Sequence, residues 1–403
     1  MTLQNDFILF GSTCTNIDSQ ATYAADPNTV NGRPAGILPS AVLNKILRQG
    51  SYASSALAQL IVTYAAQPAI DNGTLSTFTA NLAAAIQAIA TSSAPSAAPG
   101  APGGRLTLTT GVPLINADVV GSTVVYYTPT INASFPLYNG SAWTNPQLTT
   151  DLALSLTSAA AANDIVDVFG TLNGSTPVLG FGPVWATNTP GSCARGVGAG
   201  TTQISRVNNG IWVNSNVITL TNGGSTYANV PIGRATYLGS VAVDATVGQT
   251  SCYLSAGQSR KWGVWNAYNR RGIGLQVQDS TLSWSYNGGL RPSNNNSANS
   301  LLTFTGLPEE FLALEFGQMI YNGSGNSTAT LGIGINSTSS LSGQLGLFYD
   351  TGTVSGAGAS VSARFNAAPS LGLNRVSALE STSAGGMSFA GSNQMLLTAC
   401  YGA

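Results

Sequence analysis

The sequence predicts a mainly β protein with a small α-helical region at its N-terminus. Three observations carry this. Apolar residues recur every three or four positions up to about residue 90 and alternate after about residue 105. Between these regions, Thr91 to Gly104 is built almost wholly of Ala, Pro, Gly and Ser, which suits a linker. Beyond it, short runs of β-branched and aromatic residues are closed by turn dipeptides, the pattern of a sandwich or barrel. The predicted divisions are a helical segment over 1–90, the linker over 91–104, a proximal β module over 105–240 and a distal β domain over 241–403.

Residues 1–35 read as irregular, with turns at Asp26-Pro27-Asn28 and Asn31-Gly32-Arg33-Pro34. Pro39-Ser40 then opens a helix in which Val42, Leu43, Ile46 and Leu47 form an apolar side. Leu57, Leu60, Ile61 and Tyr64 extend that pattern. Asp71-Asn72-Gly73 is a turn, and Thr74 stands where it can cap a second helix bearing Leu75, Phe78, Leu82, Ile86 and Ile89. Two helices of this size bury too little alone, so this stripe is expected to pack against copies of itself.

The proximal module opens with Arg105-Leu-Thr-Leu-Thr and the strand Ser122-Thr-Val-Val-Tyr-Tyr-Thr, stopped by Pro129. Phe135 to Trp143 reads as a hairpin with a type I′ turn at Asn139-Gly140. Asp164-Ile-Val-Asp-Val-Phe169 runs to a turn at Asn173-Gly174, and Gly210-Ile-Trp-Val213 and Arg234 to Gly239 complete the module. In the distal domain, Arg260, Lys261, Arg270 and Arg271 stand beside Trp262, Trp265 and Tyr268. This density of cations and rings predicts a packed seam with arginines over aromatic faces, with a ligand patch as the sharper alternative. Leu282 to Tyr286 is a strand, and Asn287 to Ser300 reads as a polar loop.

Composition narrows the function. The chain of 403 residues is 43% apolar, enough for a core, but only 7% charged against roughly 25% in typical domains. A net charge of −1 argues against capture of nucleic acid. There is no histidine, which excludes a Ser-His-Asp triad and removes the commonest zinc ligand. Cys14, Cys193, Cys252 and Cys400 are scattered and are expected to remain free thiols, as in a reducing cytoplasm. No export signal is read at the N-terminus, and no apolar run of about 18 residues calls for a membrane span.

Two carboxylate pairs could in principle cleave a sugar, Asp164 with Asp167 and Glu309 with Glu310. The first is expected to be solvated beside a strand and turn, and the second to offset a helix dipole after Pro308. Gly196 to Gly200 lacks the lysine of a phosphate-binding loop. No catalytic residue, metal site or cofactor is therefore expected. The stretch from Trp284 to Asn296 offers Tyr286, Arg291 and several amides, a set suited to a glycan, and these two residues are the candidate receptor contacts.

The chain resembles the tail fibres of tailed bacteriophages over most of its length. Gln20-Ala-Thr-Tyr-Ala, Gly36-Ile-Leu-Pro-Ser-Ala-Val-Leu-Asn-Lys, Leu47-Arg-Gln-Gly-Ser-Tyr, Ala56-Leu-Ala-Gln and Asp71-Asn-Gly-Thr-Leu together look like a virion-attachment segment. Arg105-Leu-Thr-Leu-Thr-Thr-Gly-Val-Pro, Tyr126-Tyr-Thr-Pro, Leu137-Tyr-Asn-Gly-Ser-Ala-Trp and Tyr237-Leu-Gly look like a shaft-proximal module. Arg260 to Arg271, with Ser297-Ala-Asn, look like a distal domain. The resemblance implies a homotrimer made in the host cytoplasm and carried on the virion. It would attach through residues 1–90 to a tail or baseplate protein and meet a bacterial surface glycan or protein through its distal part. The chain departs from the family in lacking a long coiled-coil or repeat shaft. The rival readings are a glycan-cleaving fibre and a bacterial surface adhesin.

Overall fold

The computed structural model describes residues 4–7, 10, 15–93, 100–156, 160–207, 210–309, 311–322, 326–343, 345–350 and 356–403. The chain divides into two compact units, residues 1–97 and 98–403. It is mainly β, with an N-terminal helical region and a barrel-like sheet.

The first unit contains four helices among its described residues. Residues 1–35, expected to be irregular, hold two of them: α1, Gln20–Ala25, and α2, Asn28–Asn31. A side-chain cap starts the first, and a short local hydrogen bond precedes the second, whose N-cap Pro27 makes no side-chain cap bond. The Ser19 hydroxyl accepts from the Thr22 amide at 3.1 Å, and the Asp26 carboxylate accepts from the Asn28 amide at 2.9 Å. Helix α3, Ser40–Leu60, follows Pro39 and passes into a single π-helical turn, Ile61–Ala65, which stops at Ala66 in the left-handed region with φ 51°. Gly73, with φ 76°, completes the turn before α4, Leu75–Ser93.

The turn folds α4 back against the end of α3. Ala58, Ile61 and Ala69 are fully buried there, with Phe7, Val62, Phe78 and Leu82 packed around them. The rings of Phe7 and Phe78 lie 5.1 Å apart. The stripe expected to face sister chains is therefore divided. Phe78 and Leu82 pack within their own chain and Ile89 is half-buried, whereas Leu75 is 76% exposed and Ile86 56%. A short tether accounts for the intrachain part: the bridge between Asn5 and Ala69 brings Phe7 against Phe78.

The second unit begins where α4 has ended and residues 94–99 of the expected linker lie outside the described residues. One hydrophobic core runs from Leu106 to Ala403. An eight-stranded sheet places Ile165–Asn173 between Thr176–Val184 and Thr236–Ala242. The strand Thr236–Ala242 also pairs with Val264–Asn266, so the chain crosses residue 240 inside a strand bonded to both β regions. A ten-stranded sheet is organised on the long strand Gly372–Ala390, which bonds Ser283–Pro292, Ser300–Thr305, Leu312–Tyr321 and Ser327–Ile335. Smaller sheets complete the unit, among them Gly104–Thr107 with Val124–Pro129 and Leu152–Ser155.

Three local expectations need correction. The loop expected from Asn287 is largely the strand Ser283–Pro292 followed by a 3₁₀ turn, Ser293–Asn295. Its amides and hydroxyls disguise a strand whose backbone is paired along Gly372–Ala390. The hairpin at Asn139 is present, but its strands, Leu137–Tyr138 and Trp143–Thr144, enclose four residues rather than two. There the Asn139 side-chain oxygen accepts both the Ser141 and Ala142 amides at 2.9 Å, replacing the type I′ backbone geometry. Finally, Glu309 lies between two strands, Ser300–Thr305 and Leu312–Tyr321, and begins no helix.

Candidate functional site

The structure brings Tyr286 and Arg291 together and gives Arg291 a partner that sequence reading missed, Glu380. Both lie on the strand Ser283–Pro292, and the Arg291 guanidinium carbon sits 3.5 Å from the centre of the Tyr286 ring. Cross-strand pairing sets Arg291 opposite Glu380. Arg291 Nε donates to Glu380 Oε1 at 3.0 Å, and its Nη2 lies 2.8 Å from the same oxygen. The Trp284 indole donates to Glu380 Oε2 at 2.9 Å, and the Ser293 hydroxyl and Asn294 amide add bonds of 3.2 and 3.1 Å.

Glu380 is fully buried. Burial pushes its carboxyl above the usual range, against hydrogen bonds from Trp284, Arg291 and Ser293 that favour the ionised form. The result is a rigid platform: Glu380 fixes Arg291, which lies across the ring of Tyr286, whose hydroxyl donates to the Gly289 carbonyl at 2.7 Å. Arg291 keeps part of its guanidinium in solvent, with 21% of the side chain exposed. A stacked arginine and tyrosine beside amide side chains can hold a polar ligand by charge-assisted hydrogen bonds. The clue to Glu380 was available: it is a lone acid that continues the alternation Val376, Ala378 in a charge-poor chain.

The other carboxylates take different roles. Asp167, expected to be solvated, is fully buried and bonded to Arg195, at 2.6 Å from Nε and 3.2 Å from Nη2. Arg195 also donates to the Gly306 carbonyl at 2.7 Å and lies 4.4 Å from the Trp185 ring. Burial acts to lower its pKa, but Asp167 and Tyr237 outweigh this and raise it. This network stitches the two large sheets and offers no carboxylate to a substrate. The correction follows from strand parity, since Val166 and Val168 flank Asp167 on a strand buried on both faces.

Asp164 is separate from Asp167 and borders a cleft of about 620 Å³ shared with Asp244, Lys261, Asn188 and Arg375. Burial raises the Asp164 carboxyl, whereas Asp244 is ion-paired with Lys261. Glu309 is ion-paired with Arg270 at 2.8 Å, and Glu310 lies outside the described residues.

The segment Ser259–Arg271 is a packed seam. Trp265 is fully buried, Arg270 stands 5.2 Å from its ring and Arg260 lies 4.6 Å from the ring of Tyr253. Arg105 joins it from the first strand of the unit, donating to the carbonyls of Asn269 and Ala403. Burial and the nearby Arg271 lower its pKa to about 10. Cys193, Cys252 and Cys400 are free thiols, and Cys14 lies outside the described residues.

No protein-family model matches the chain, and no curated protein matches it. Among solved structures it is similar to that of the infectious bursal disease virus Gx strain, with 11% identity and a TM-score of 0.24 over 70% of this chain and 74% of that chain. The VP2 subviral particle of the same virus gives 11% identity and a TM-score of 0.23 over 75% and 73%. The insecticidal δ-endotoxin Cry8Ea1 of Bacillus thuringiensis gives 8% and 0.18 over 70% and 52%. These are weak likenesses, to viral structural proteins and a toxin, and at such TM-scores they carry no argument about activity.

Proposed function

We propose that this chain is a trimeric tail fibre of a tailed bacteriophage. On this reading, residues 1–90 attach it to a tail or baseplate protein, and residues 241–403 meet a glycan or protein of the bacterial surface. The observation that carries the reading is the apolar surface left on the helical unit. Leu43, Ile46, Leu47 and Leu57 on α3 and Leu75 and Ile86 on α4 are all exposed at helical spacing. Exposed apolar residues in this number suit an assembly contact. They coincide with the stretch that resembles a virion-attachment segment. A chain with few charges and one long β core suits a permanent assembly in the same way.

The receptor role falls to the platform of Tyr286 and Arg291, because its arginine is oriented from beneath by Glu380 and still reaches solvent. Gold-labelled antibody raised against the purified chain tests the reading on virions of a phage that carries this sequence. Label on the tail supports it, and virions without label contradict it. Adsorption by virions carrying Tyr286→Ala with Arg291→Ala tests the platform separately. Unchanged adsorption would clear these two residues of a receptor role.

A further inference from the structure

A second cleft, far in sequence from Tyr286 and Arg291, has the chemistry of a sugar site. It has a volume of about 460 Å³ and is lined by Tyr138, Asn139, Asn173, Tyr227, Asn229 and Arg234, among others. Small-molecule sites span roughly 300–1,000 Å³. Three pieces of chain build it: the Leu137–Tyr138 hairpin, the tip of the hairpin between Ile165–Asn173 and Thr176–Val184, and the end of the edge strand Ser225–Val230.

Each polar group is presented by a local device. At Asn173-Gly174 the chain turns with φ 63° at Gly174, so Asn173 ends its strand at the cleft. Asn229 has φ 54° beside a register slip between Ile218 and Leu220 and so lies in a bulge on an edge strand. The Asn139 side-chain oxygen is used twice by its own turn, which leaves its Nδ2 as a donor. The ring of Tyr138 is held by Trp143, 5.6 Å away.

Arg234 decides the ligand class. Its guanidinium rests on Gly140, where φ is 99° and any Cβ would collide with it. It makes no ion pair among the described residues. Among the described residues, no Asp or Glu lines the cleft. An arginine fork matches a carboxylate bidentately, amides match vicinal hydroxyls, and tyrosine rings accept the apolar face of a pyranose. Among the described residues, no lysine lines the cleft to add the further charge that a phosphate ester would draw on.

We propose that this cleft binds a saccharide that carries a carboxylate, of the uronic acid class. The site lies in residues 105–240, apart from the platform given the receptor role above, and it stands whether or not the chain is a fibre. The test is saturation-transfer NMR and titration of the full chain with D-glucuronate and, in parallel, D-glucose. Glucuronate is expected to bind saturably and more tightly than glucose. Arg234→Gln and Arg234→Lys are each expected to weaken glucuronate by about tenfold, since neither replacement offers the bidentate fork. Arg364→Gln, at an exposed arginine outside the lining of the cleft, serves as the control and is expected to leave this binding unchanged. Equal binding of the two sugars, no saturable binding of glucuronate, or binding that survives both Arg234 variants would overturn the proposal. Arg234 is solvent-exposed, so its replacement leaves the fold intact, which circular dichroism checks.

Discussion

Arg195 donates to both carboxylate oxygens of Asp167, at 2.6 and 3.2 Å, beneath the ring of Trp185. Asp167 stands on the eight-stranded sheet, and the same guanidinium reaches the Gly306 carbonyl just beyond a strand of the ten-stranded sheet. One buried charge pair therefore ties the two halves of the β unit. Removing one partner of such a pair costs about 3–5 kcal/mol, because the other charge is left buried and unpaired. Asp167→Ala is expected to lower the unfolding free energy of the β unit by that amount, read from the shift of its denaturant midpoint. A loss below about 1 kcal/mol, the range of a surface pair, would show that the network is solvated.

The helical unit should separate folding from assembly. Phe78→Ala removes a ring packed on Phe7 and is expected to destabilise the unit by about 2–4 kcal/mol, since the ring is only part-buried. Leu75→Ser alters an exposed side chain and is expected to leave helix content unchanged while weakening self-association. Circular dichroism and light scattering on both variants distinguish these outcomes. Equal loss of helix in both would contradict the division of the stripe.

Two carboxyls should give opposite pH slopes. Burial raises Glu380, so its contribution to stability is fully present below the unfolded value of about 4.3 and is lost as pH rises through the folded value. Burial also acts to raise Asp279, but hydrogen bonds from Asn299, Thr281 and Asn294 outweigh it and lower its pKa. Its contribution is present above about 3.9 and is lost as pH falls through the folded value. Asp279→Asn is expected to flatten the acid limb of the stability profile, and Glu380→Gln to flatten the decline just above pH 4. Thermal melts from pH 3 to 7 measure both.

Thiol reactivity should follow burial. Burial pushes Cys252 up to about 12, and Cys193 is also raised by burial, while Cys400 is exposed. Among these three, Cys400 is expected to be alkylated first at pH 8 in the folded protein. Peptide mapping after brief iodoacetamide treatment would detect the reverse order.

Much of this fold was legible because hydrophobic period is a local signal. The change from helical spacing to alternation near residue 105 coincides with the end of α4 and the start of the strand Gly104–Thr107. Tyr286 and Arg291 were legible as residue types, and the pairing that orients them was not. Glu380 lies 89 residues beyond Arg291, and only register sets them opposite each other. Asp167 misled for the same reason, since nothing near it in sequence announces Arg195. The polar strand Ser283–Pro292 was hidden because glycine and amides suit loops, and its long neighbour supplies the order.

The most direct test of the central claim is the solution mass of the purified full-length chain by light scattering. The fibre reading predicts three times the 41.0 kDa of one chain, with a chain starting at Arg105 falling to a smaller assembly. A monomer for the full-length protein at all concentrations would contradict the trimeric fibre.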